Sequence, residues 1–186
     1  MTKEFLPKDY NLPKSAGGSY TKFEEGITRL RILSAPLLGW VDWIEEEGKR
    51  KPLRYAYDKM PETPTDPEKP IKHFWAFKVW NYKTKEIQIW EITQSGIQGK
   101  IKTLVDSEDW GIPTEFDLDV SREGKGFSDT NYEVTPVPPK PLTNEIQSKE
   151  KAIKVDLDKL LAGLDPFAFE PTSEKDSEIT AEEIGF

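Results

Sequence analysis

The chain has 186 residues, enough for one ordinary domain with appendages and too few for two full-sized domains with separate cores. Hydrophobic residues make up 35% and the mean hydropathy is −0.67, so part of the chain is expected to lie outside any core; no apolar run approaches the roughly 18 residues that span a bilayer. Zero cysteines and a single histidine, His73, exclude disulfides, thiolate zinc sites and any Ser-His or Cys-His nucleophile not built on that one imidazole.

Met1 to Asp9 has no basic-then-apolar leader pattern, so a protein that stays in the cytoplasm, away from membranes, is expected; residues 1–20 read as an N-terminal arm. Ile27–Leu33 alternates Thr28, Leu30 and Ile32 against Arg29 and Arg31, the pattern of a half-buried strand. Leu37–Glu46 continues extended, with Gly39 placed where one long strand could bend and serve two sides of a barrel. Lys49–Tyr57 reads as the first loop, and the proline-rich insert Met60–Pro70 as a second, exposed one. Ile71–Tyr82 and Glu86–Thr93, separated by Lys83, Thr84 and Lys85, are spaced as a hairpin.

Ile97, Ile101, Leu104 and Val105 then form the stripe of a short helix with Ser95 as its cap. Phe116–Ser121 and Tyr132–Val134, joined through Arg122–Gly126, supply two more strands. The order is that of a mainly β, five-stranded OB-fold barrel with one short helix between strands 3 and 4, occupying residues 21–137. The four prolines of Thr135–Pro141 begin a linker, 138–164, in which Leu157, Leu160, Leu161 and Leu164 mark a short amphipathic helix with Asp156 as N-cap. Residues 165–186 read as a disordered acidic tail: the net charge of −8 divides into −2 over residues 1–140, zero over 141–159 and −6 over 160–186.

A polynucleotide groove needs cations for phosphates and flat rings for bases on one surface. One parity of the second strand carries Lys72, Phe74, Lys78, Trp80 and Tyr82, while Trp75, Phe77 and Val79 take the other face and fill the barrel. The first loop adds Lys49, Arg50, Lys51, Arg54, Tyr55 and Tyr57, a net +4 from Lys49 to Lys59; Arg29 and Arg31 add two guanidinium groups, and Arg122 and Lys125 stand in the last loop. The competing expectation places Trp80 and Tyr82 under the proline-rich insert as a satellite cluster. His73 reads as a packed or edge imidazole. Asp117 and Asp119 with Glu91 could hold magnesium in a nuclease, although alternating acids on a wet strand face are commonplace.

The stretch Tyr20-Thr21-Lys22-Phe23-Glu24-Glu25-Gly26-Ile27-Thr28-Arg29-Leu30-Arg31-Ile32-Leu33, with Gly39-Trp40, Lys72-His73-Phe74-Trp75-Ala76, Trp110-Gly111, Phe116-Asp117-Leu118, Arg122, Gly124, Gly126 and Thr130-Asn131-Tyr132, resembles the single-stranded DNA-binding proteins of tailed bacteriophages. The resemblance covers about residues 15–137. It implies a non-enzymatic OB-fold that coats single-stranded DNA during replication, recombination or repair in the host bacterial cytoplasm. No cofactor is implied, and the cysteine-bound zinc of some relatives is not carried over. The terminal run Ala181-Glu182-Glu183-Ile184-Gly185-Phe186 resembles the partner-binding tips of such proteins: Ile184 and Phe186 would fill an apolar pocket of a replication or recombination protein while Glu182 and Glu183 meet basic residues around it. The same tail would compete with DNA. A homo-oligomer and, as an alternative, an OB-fold protein adaptor without DNA affinity stay open.

Overall fold

The computed structural model describes residues 20–168. Seven strands form one antiparallel sheet: β1 (Gly26–Ile32), β2 (Leu37–Glu46), β3 (Lys49–Ala56), β4 (Lys72–Asn81), β5 (Glu86–Ile92), β6 (Asp117–Glu123) and β7 (Asn131–Pro136). The order is β3-β2-β4-β1-β6-β7, with β5 on the other edge of β4. β1 and β2 are two halves of one long extended run, since β1 pairs with β4 at residues 79–81 and β2 with β4 at residues 72–76. Between them Leu33 donates its N–H to the Lys78 carbonyl, and Ser34 Oγ accepts from the Lys78 N–H. The bend therefore costs β4 none of its hydrogen bonds at Lys78.

Three expectations are corrected here. The sheet has seven strands rather than five, because the long first strand divides into β1 and β2 and the basic stretch expected as the first loop is β3, paired with β2 from Gly39–Ala56 to Glu46–Lys49. Glu47 and Gly48 both take positive φ, 50° and 73°, the two-residue turn whose twist matches a hairpin. The helix α1 (Ser95–Asp106) consequently lies between the fifth and sixth strands, and its N-cap is Gln94, not Ser95. Third, the sheet stays open: among the described residues β5 pairs only with β4, apart from an isolated parallel bridge from Tyr20 to Ile89.

Two cores lie on opposite faces of β4, as its period-2 pattern requires. On one face Phe77 and Val79 join Leu30, Ile32, Trp90, Ile92, Phe116, Leu118, Val120 and Val134, closed over by Ile97 and Ile101 of α1. On the other, Phe74 and Ala76 meet Val41 and Ile89, and Trp80 meets Ile87. This second face is covered by the segment after the prolines, which contains α2 (Asn144–Ala152) and a 3-10 helix (Leu157–Ala162). Ile146 of α2 seats on Trp80, and Leu160 of the 3-10 helix on the Phe74 cluster. Each buried aliphatic contributes about 1.5–3 kcal/mol.

The caps follow from local chemistry. Thr143 Oγ1 accepts from the Ile146 N–H, Asp156 accepts from Asp158, and Gly163 closes the 3-10 helix with φ of 69°. Leu157, Leu160 and Leu161 belong to the expected stripe, whereas α2 carries a single buried apolar residue, Ile146, too little periodicity to mark it in advance. Asp165–Ala168, expected within the tail, are folded: Asp156 donates its N–H to the Pro166 carbonyl and Phe167 packs against both clusters of this face.

Candidate nucleic-acid interface

The two strand arginines face carboxylates directly across the ladder, since β1 and β6 pair Arg29 with Asp119 and Arg31 with Asp117. Arg29 makes a bidentate contact of 2.7 and 2.8 Å, which holds the Asp119 carboxyl below its ordinary range. Arg31 is 1% exposed; its Nε donates to Asp117 at 2.6 Å and its Nη2 to the Lys140 carbonyl. Tyr82 Oη donates to Asp117 at 3.0 Å and Lys140 Nζ reaches the second carboxylate oxygen at 2.9 Å. Burial first, then the bond to Asp117, pushes the Tyr82 phenol up to about 12. These groups fasten the proline-rich exit to the sheet. They also engage both aspartates of the nuclease reading, whose third carboxylate, Glu91, pairs with Arg54 at 2.8 Å; among the described residues no three carboxylate or imidazole groups converge.

The face of β4 expected to bind bases is occupied by the chain itself. Phe74 is fully buried, Trp80 is 2% exposed, Tyr82 is half-buried and Lys78 pairs with Glu150 of α2 at 2.9 Å. The cluster holding Trp80 and Tyr82 does exist, but its cover is the segment 138–168 rather than the proline-rich insert. On the hairpin β2–β3, Lys51 pairs with Glu46, Arg50 lies over the Trp43 ring at 5.2 Å and Lys49 is exposed.

What remains open lies at the start of β4. A cleft of about 520 Å³ runs between Lys72, Thr93 and Gln94 on one side and Arg122, Lys125, Gly126, Phe127, Thr130 and Tyr132 on the other. Lys72 and Lys125 are exposed and form no ion pair among the described residues. Arg122 is anchored by a 2.7 Å bond from Nη1 to the Phe23 carbonyl. One residue along β4, on the opposite parity, His73 begins an aromatic cluster: Trp40 lies 4.9 Å and Tyr57 5.5 Å from its ring, and Trp40 and Tyr57 stack at 6.0 Å with planes 12° apart.

That cluster is held by donors with one role each. The Trp75 indole N–H donates to His73 Nε2 at 3.0 Å, so the imidazole proton sits on Nδ1, which donates to the Gly39 carbonyl at 2.8 Å. The Trp40 indole donates to the Tyr57 carbonyl. Tyr57 is 59% exposed, and Tyr55, opposite Trp40 in the ladder, is half-buried on the same side. Gly39 is required behind them, because a Cβ there would stand 2.4 Å from the Tyr55 carbonyl oxygen and 2.7 Å from the Phe74 ring.

Thus Lys72, Arg122 and Lys125 come together in the cleft, while Tyr55 and Tyr57 belong to the separate ring cluster at Trp40 and His73. Arg29, Arg31, Arg54, Phe74, Lys78, Trp80 and Tyr82 do not join them, while Glu182, Glu183, Ile184 and Phe186 lie outside the described residues. Sequence reasoning missed Trp40, His73 and Phe127 as members. A signal existed for Phe127, an aromatic residue alone within Gly124–Thr130, a run of glycines and polar residues.

No family model matches the chain, and no solved structure matches it. It is 31% identical to a protein of Escherichia phage T5 described as a probable ssDNA-binding protein, in an alignment that covers 77% of this chain and 69% of the relative.

Proposed function

The chain belongs to the phage single-stranded DNA-binding proteins, and on that premise we propose that it binds single-stranded DNA, largely without sequence preference, at the cleft at the start of β4. The observation that carries this reading is the cleft that gathers Lys72 and Lys125, neither of them ion-paired among the described residues, with the anchored Arg122, one residue along β4 from a ring cluster in which Tyr57 is exposed and Trp40 and Tyr55 are half-buried. Cations take phosphates and rings take bases of any identity. No bond is made or broken in this role, so no catalytic residue is assigned.

The long bent β1–β2 strand, the β4–β5 hairpin, α1 and the β6–β7 pair follow the element order of an OB-fold with an added strand β3, and the cleft lies by its last loop, Gly124–Thr130. We read the protein as an opened variant of that barrel acting on replication, recombination or repair intermediates in the host cytoplasm, with Glu182, Glu183, Ile184 and Phe186 as a partner-binding tip.

The test is an anisotropy titration of the full chain with an oligo-dT strand and a matching duplex across salt concentrations. Three phosphate contacts give a log–log salt slope of about −2 on the single strand. Equal affinity for the duplex, or binding indifferent to salt, overturns the assignment; no binding to either strand leaves the adaptor reading in its place.

A further inference from the structure

At the tip of the β6–β7 loop the Phe127 side chain is 105% exposed, as open as a ring in an unfolded chain. A lone surface ring is ordinary in itself. This one is carried on a loop tied across its own base. The Gly126 N–H donates to Asp129 Oδ1 at 2.7 Å and Thr130 Oγ1 donates to the Gly126 carbonyl. Gly124 takes φ of +90°, and a Cβ there would stand 2.2 Å from the Asp129 carbonyl oxygen, so the chain closes too tightly for any other residue. The loop thus holds the ring away from the core with little freedom to fold back. It lines the same cleft as Lys72, Arg122 and Lys125.

We propose that Phe127 is a stacking finger that inserts between two neighbouring bases of a single strand whose phosphates lie on Lys72, Arg122 and Lys125; this rests on the binding reading above. A flat apolar ring among cations suits a base step, where an apolar wedge replaces one base-on-base contact with two ring-on-base contacts. A single strand opens such a step at little cost, whereas a duplex must unstack and strain its pairing, so the finger raises the preference for single strands. Pre-ordering by the two hydrogen bonds and the tight turn at Gly124 reduces the entropy loss that a floppy loop would suffer on binding.

The experiment uses the full chain and its Phe127→Ala, Phe127→Leu and Asp129→Ala variants, titrated with oligo-dT carrying one 2-aminopurine, whose fluorescence reports stacking. Phe127→Ala is expected to weaken single-strand binding roughly 5- to 150-fold with the salt slope unchanged, to lower the single-strand to duplex ratio and to abolish the 2-aminopurine change. Phe127→Leu keeps an apolar side chain without a flat face and is expected to stay weak; Asp129→Ala loosens the loop and gives a smaller loss. Thermal unfolding of Phe127→Ala should match the parent, because the ring contacts no core. Parent and Phe127→Ala binding alike, or Phe127→Leu binding like the parent, overturns the finger while the binding reading stands. A parent chain that binds no strand overturns both.

Discussion

Two groups of rings on β4 meet opposite fates. On one side Phe74, Lys78 and Trp80 alternate as a base-binding face would, yet Leu160, Glu150 and Ile146 lie over them. At the start of the strand, His73 on the opposite parity, with Trp40, Tyr57 and Tyr55, is left partly in water, one residue from Lys72 and its cleft. Aromatic residues interleaved with lysines therefore mark a face that something must cover or contact. Whether that something is a ligand depends on apolar residues far away in the chain, here Ile146 and Leu160 in a segment that starts nearly sixty residues after β4.

The sharpest way to break the contrast is Trp80→Ala, expected to cost about 3–5 kcal/mol of folding stability by emptying the space beneath α2, with single-strand affinity of the folded protein nearly unchanged. Chemical denaturation and a titration at low temperature measure the two separately, and a large loss of affinity without a loss of stability would reverse the assignment of the faces. Trp40→Ala should do the opposite, weakening single-strand binding by about 1–3 kcal/mol through lost stacking while removing only a half-buried ring. For Lys72→Ala combined with Lys125→Ala, the magnitude of the salt slope should fall by about 1.4, near 0.7 for each phosphate contact removed. Arg29→Ala, by contrast, should leave the slope unchanged, since its guanidinium is committed to Asp119.

The smallest effect concerns the fastening at Asp117. Tyr82 ionises near 12 in the folded protein against an ordinary value of 10.0, so its contribution to stability is complete below pH 10 and disappears as pH rises toward 12. Tyr82→Phe should cost about 1 kcal/mol at neutral pH for the lost hydrogen bond and should flatten the alkaline fall in stability over that window. An unchanged alkaline profile would show that the phenol does not hold this junction.

Much of the frame is legible in advance where one period dominates. The alternation in β1, β4 and β6 and the four-residue spacing of Ile97 and Ile101 identify each element as strand or helix by its own period. β3 is not legible in the same way: Lys49, Arg50, Lys51 and Arg54 look like a solvated loop, and Pro52 speaks against a strand unless it is an edge strand, which β3 is. The turn Glu47-Gly48 was the available clue. For the site, Lys72, Arg122, Lys125, Tyr55 and Tyr57 are identifiable from charge and loop position, but the exposure of Trp40 and the burial of Trp80 depend on which distant segment docks where, and periodicity holds no information about that.

The late cover on β4 also bears on how the molecule is made. Hairpins β2–β3 and β4–β5 close over short distances, but the contact of Arg29 with Asp119 spans 90 positions and the cover over Phe74 and Trp80 is synthesised after all seven strands. A chain leaving the ribosome therefore carries two large rings without their lid until its final quarter emerges, and ladders of such separation form slowly. During that interval the uncovered rings of Phe74 and Trp80 are surface open to aggregation.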